Sequence, residues 1–161
     1  MKILDFGGGF AMREKNIIQT ATIVIIDVMF YLGIVCVVLT PIFSNTINRF
    51  YNYSQGRLIL FIMILFISGV CAVYILFNLK LMYKTLSGGN PFVNKNVVCL
   101  KRMAVACGII ALAYVVKCVF IFSVSTVIVV MVFILGGLFC LTLKDIFKRA
   151  ILYKEENDWT V

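Results

Sequence analysis

Four apolar runs separated by short polar segments organise this chain. They cover residues 17–43, 58–79, 103–122 and 124–143, each about the 20 residues that a helix needs to cross a bilayer. The first run contains one charge, Asp27, and the third contains one, Lys117; the other two have none. This pattern predicts an all-α integral membrane bundle of four transmembrane helices running up-down-up-down. The first run is too long for the apolar core of a cleaved signal, and no small-x-small site follows it, so it is expected to be retained.

Two of the runs do not stop where their uniform apolarity ends. Leu79, Met82, Tyr83 and Leu86 recur at i, i+3, i+4 and i+7, with Lys80 and Lys84 off that stripe; this predicts an amphipathic extension of the second helix. Gly88 and Gly89 suit its end, and Pro91 pushes Asn90 out of helical geometry. Asn94 is placed to cap the third helix, with Val93 and Val98 at the spacing of a hydrophobic staple. After the fourth run, Leu143, Ile146, Phe147, Ala150 and Ile151 continue an apolar stripe opposite Lys144, Asp145, Lys148 and Arg149. Residues 1–161 therefore read as a single membrane domain with a hinge at 84–102 and a tail at 144–161. Ser68/Ala72 and Ala104/Gly108 form small-xxx-small pairs that permit close helix approach, and a homo-oligomer is compatible with this pattern. Near the start, Gly7–Gly9 read as a flexible joint before a short interfacial segment.

Composition fixes the solvent. Of 161 residues, 63% are hydrophobic and 14% charged, with a mean hydropathy of +1.07; the bilayer is the partner that can cover so much apolar surface. The formal charge is +8, and twelve of the fifteen cations fall on one side of a four-span layout. The other side holds Arg49 and Arg57. Cytoplasmic segments carry the Lys/Arg excess, so both termini and the hinge are expected in the cytoplasm of a multi-pass cell-membrane protein. The charge is thus a topology signal, and direct nucleic-acid binding is not expected. In the outer loop, Phe50, Tyr51 and Tyr53 suit the membrane boundary, and Asn52–Ser54 matches a glycosylation sequon.

Candidate chemistry is sparse. The six cysteines lack C-x-x-C spacing and there is no His, so they read as apolar packers, and no metal or cofactor is expected. Seven acids, four of them in the tail, and no catalytic signature predict a non-enzyme. Asp27 and Lys117 are the intramembrane charges, each expensive without a partner. Counted from the starts of their runs they differ by only about 6 Å in depth, so an ion pair is feasible. The alternatives are Lys117 snorkelling outward with Asp27 protonated or hydrated, and a proton or ion pathway.

The segment "GGNPFVNKNVVCLKR" and the ending "EENDWTV" resemble the bacterial domain-of-unknown-function family twenty-nine seventy-five, small four-span membrane proteins. The matching residues are Gly89, Pro91, Phe92, Asn96, Leu100, Lys101 and Arg102, followed by Glu155, Glu156, Asn157, Asp158, Thr160 and Val161; Trp159 stands where Leu is more usual. The resemblance implies no activity, but it does imply a genomic setting beside small helix-turn-helix regulators of the Cro/Xre type. The expected function is a membrane-anchored binding and signalling module for such a regulator, using the hinge (Gly88 with the motif residues) and a docking tail of Glu155, Glu156, Asp158 and Trp159. The alternatives are an immunity or transport-type protein protecting against a membrane-active peptide or small molecule, and a purely structural membrane subunit.

Overall fold

The computed structural model describes the backbone of residues 6–42, 55–87 and 93–158, and the side chains of residues 20–42, 58–87 and 93–156. Within them the chain forms four long helices: α1 (Phe6–Ile42), α2 (Gln55–Ser87), α3 (Asn94–Phe120) and α4 (Val124–Asp158). Each contains a segment long and apolar enough to cross a membrane. Helix is the form such segments must take, because in hydrocarbon every backbone polar group needs an internal partner. The side-chain hydroxyls and amides follow the same rule. Thr40 Oγ1 donates to the Cys36 carbonyl at 2.8 Å, Ser68 Oγ to Leu65 at 2.9 Å, and Thr142 Oγ1 to Leu138 at 3.0 Å.

Consecutive helices pack antiparallel. Gly33 of α1 faces Val73 and Leu76 of α2, while Gly69 of α2 faces Val37. Thr85 near the end of α2 meets Asn96 near the start of α3. Gly137 of α4 lies against Ala104 and Cys107 of α3. The α3–α4 link is only residues 121–123, closed by the Ile121 N–H on the Lys117 carbonyl and by the Ser123 carbonyl, which accepts from Thr126 and Val127. The helix contacts are serial: α1 packs on α2, α2 on α3, and α3 on α4. Among the described residues α1 makes no close backbone contact with α3 or α4. α3 is the most buried helix, with Leu100 and Ile110 essentially inaccessible. Most large apolar side chains elsewhere are exposed, a surface that lipid covers and water would not tolerate.

The close approaches differ from those expected. A Cβ on Gly69 would sit 2.7 Å from Val37 Cγ2, and one on Gly33 3.1 Å from Val73 Cγ2, whereas Gly108 faces open space. Ala104 does lie at an approach, but its partner is Gly137 across the α3–α4 contact. Spacing alone does not say which face of a helix meets a neighbour.

The helix starts differ too. Val93, not Asn94, is the N-cap of α3; it has extended backbone and makes no side-chain cap bond. Val93 and Val98 are both exposed and form no staple. Gly7–Gly9 lie inside α1 rather than forming a joint. The outer loop with Phe50, Tyr51 and the Asn52 sequon, together with Gly88, Gly89, Pro91, Phe92 and Trp159, lies outside the described residues.

Candidate functional site

Leu79, Met103 and Cys140 pack in one cluster from α2, α3 and α4. This places Lys80, Arg102 and, one turn further along α4, Lys144 at a common level. Asp27 joins them from α1, its Oδ1 2.7 Å from Lys80 Nζ. Lys144 pairs with the adjacent Asp145 at 3.1 Å. All four helices therefore carry charge at one height, and Lys101 completes the belt. On its apolar side lie residues 58–79, 103–120 and 124–143, parts of the candidate spans Leu58–Ser87, Asn94–Phe120 and Val124–Glu156.

Asp27 thus pairs with Lys80 and not with Lys117. Helix α2 touches both neighbours and serves as the ruler. Asp27 meets α2 at Lys80, while Lys117 lies over the ring of Phe61, 4.8 Å from its centroid. Those two α2 positions are about 28 Å apart along the helix. The apolar runs begin at unequal heights, so depths counted from their first residues do not compare. Asp27 lies within the candidate span Thr20–Ile42, and Lys80 also rests 5.8 Å from the Phe30 centroid and 6.0 Å from that of Tyr31. Lys117, near the opposite end, is held between Phe61 and Tyr114, the latter at 5.5 Å. Aromatic faces attract a cation through their quadrupoles, so this ammonium needs no carboxylate.

The hinge residues divide by direction. Asn96 is fully buried and accepts at Oδ1 from the Thr85 hydroxyl at 2.5 Å. Leu100 is 1% exposed. These two lock α3 against its neighbours. Lys101 and Arg102 are exposed on the face of α3 away from Ala104 and Cys107, which pack on α4. Val98, Lys101, Arg102, Val105, Ala106 and Ile109 line a groove of about 460 Å³ between α3 and α2. A second groove, of about 400 Å³, runs between α1 and α2 beside Ile23, Ile26, Lys84 and Ser87. On the apolar side a crevice of about 430 Å³ is lined by Gly33, Gly69, Tyr114 and Phe133.

Helix α4 projects past the belt from Lys144 to Asp158, about 21 Å. Glu155 and Glu156 are exposed on its last turns. Asp158 ends the helix, and its side chain lies outside the described residues.

Sequence reasoning missed Asn78. It is 1% exposed, donates from Nδ2 to the Tyr74 carbonyl at 2.8 Å, and leaves Oδ1 buried without a hydrogen-bond partner. An Asn two residues before Lys80 was the available signal. The cysteines are all unbonded, with Cys99, Cys107 and Cys140 buried. Among the described residues no group of His, Cys, Asp or Glu could hold a metal.

Four apolar helices with their charge gathered at one level define a multi-pass helical membrane protein. The chain belongs to the family described as protein of unknown function DUF2975, whose model matches residues 9–161. No curated protein and no solved structure matches the chain.

Proposed function

We propose that this protein is a membrane-anchored binding and signalling module that holds or releases a small cytoplasmic helix-turn-helix transcription regulator. In this reading the charged belt marks the cytoplasmic boundary of the cell membrane, and both termini lie on that side. The observation that carries the reading is the reach of α4, which lifts Glu155 and Glu156, exposed, well beyond the belt. Acidic groups at a helix C-terminus oppose the helix dipole, and close to anionic headgroups they would be repelled. Raised above the surface they escape the second cost and can meet the basic face of a DNA-binding protein. Steering between such surfaces is electrostatic and weakens with salt.

The test is capture of the regulator encoded beside the gene by full-length protein in nanodiscs. Deleting Glu155–Val161 should leave insertion and abundance near wild type and abolish capture. The triple change Glu155→Gln, Glu156→Gln and Asp158→Asn should do most of the same damage, and added salt should weaken capture by wild type. Full capture by the truncated protein, or its degradation, would sink the proposal.

The immunity or transport reading is favoured by a different feature, the crevice beside Gly33, Gly69 and Tyr114. It predicts that protection against a membrane-active compound is lost on filling that crevice and survives loss of the tail.

A further inference from the structure

The groove between α2 and α3 is polar at one end and apolar along the rest. Lys101 and Arg102 stand at the belt, both exposed, and neither has an acidic partner among the described residues. From there the walls are Val105, Ala106 and Ile109 of α3 with Val70 and Cys71 of α2. Arg102 to Ile109 is about 10 Å along the helix axis, directed into the apolar span. A cation pair at the membrane boundary above a greasy channel of this length matches an amphiphile with an anionic head and a hydrocarbon tail. Arg presents a planar fork of donors suited to phosphate oxygens, and Lys adds a mobile point charge. Basic pockets between transmembrane helices recognise lipid headgroups in this way.

The α1–α2 groove is a poorer candidate. Its Lys80 is committed to Asp27, which brings a carboxylate to the place where a phosphate would sit. The α2–α3 groove has no such acid on its walls. We infer that Lys101 and Arg102 hold the phosphate of one anionic phospholipid, whose acyl chain lies in the groove along Val105 and Ile109. The lipid fastens α3 to α2 on the face opposite α4, where no helix covers the contact among the described residues. This assignment is independent of any regulator.

The full-length protein in detergent is titrated with phosphatidylglycerol or phosphatidylcholine and read by native mass spectrometry. One phosphatidylglycerol should bind in preference to phosphatidylcholine. Lys101→Gln with Arg102→Gln should weaken that adduct by at least about tenfold, taking roughly 1 kcal/mol per cation at the surface. Val105→Trp, which fills the exposed wall of the groove without touching the cations, should weaken it as well. Lys84→Gln removes one charge outside the groove and should leave the adduct unchanged. Helical circular dichroism and a monodisperse elution profile confirm that each variant is folded. Equal binding of the two lipids, undiminished binding by the double variant, or an equal loss in Lys84→Gln would overturn the assignment. Displacement by soluble glycerol phosphate as effectively as by the lipid would also overturn it, since the groove would then serve a free phosphate.

Discussion

Asp27 and Lys80 show how a pair of apolar helices accommodates a carboxylate. Each would be costly alone at this level, yet at 2.7 Å they neutralise each other, and the rings of Phe30 and Tyr31 support the ammonium. Their side chains are 36% and 41% exposed, so solvent and headgroups screen the pair and the coupling is modest. Asp27→Asn should destabilise the protein by about 1 kcal/mol, and Lys80→Met by a similar amount, while the double variant should lose less than the sum. Thermal unfolding in detergent checks this. The same cycle between Asp27 and Lys117 should be additive, and coupling there would contradict the geometry. From sequence Asp27 and Lys117 stood out as the lone charges of two apolar runs, but the partner of Asp27 was not legible. Lys80 looked like a surface cation because it falls one residue past the uniformly apolar run. Its partner is fixed by the register between α1 and α2, which no local pattern encodes.

At the scale of elements, the α2–α3 turn rests on a pair that periodicity does not reveal. The extension of α2 was legible, since the helix runs to Ser87 with Leu79, Met82 and Tyr83 partly covered, although Leu86, the last residue of the expected stripe, is exposed. The link of only residues 121–123 is too short for α3 and α4 to be anything but antiparallel neighbours. What was not legible is that Asn96 turns inward. Asn is usually solvent-facing or a cap, and here burial is compensated by the Thr85 hydroxyl. That hydroxyl also lies 2.6 Å from the Met82 carbonyl, so it retains a local partner if Asn96 is lost. Asn96 is itself fully buried. Asn96→Ala should therefore cost about 1–3 kcal/mol, the range for deleting a buried polar partner and opening its space. Thr85→Val removes the donor to the buried Asn96 Oδ1 but is close in shape and opens no space, so it should cost less than Asn96→Ala. Chemical denaturation of the purified variants orders the two, and a greater loss in Thr85→Val would reverse the assignment. The motif around Asn96 and Leu100 thus reads as structural, leaving Lys101 and Arg102 as its outward-facing part.

For the whole molecule, the belt and the serial contacts together decide what can be said of orientation. Charge at one height on every helix means that the bundle has one highly charged end and one end poor in charge, whichever way it sits. The sequence places twelve of fifteen Lys and Arg at the charged end or in the segments attached to it. Inserting proteins retain such Lys/Arg-rich segments on the cytoplasmic side, and anionic lipid on that leaflet attracts them further. The opposite end has only Arg49 and Arg57 to compete. Fusions after Gly89 and after Val161 should therefore be fluorescent with a reporter that folds only in the cytoplasm and silent with one that needs the exterior. A fusion in the loop after Asn52 should give the reverse. Moving the bias is the sharper test: changing Lys95, Lys101 and Arg102 to Gln while adding three Lys after Asn52 removes the asymmetry across α2 and α3. Mixed reporter signals are expected from that variant, because the remaining cations at the two termini still hold α1 and α4 in their original sense. An unchanged pattern would mean that orientation is set by something other than the charge, and exterior activity at Gly89 in the unaltered protein would invert the whole arrangement.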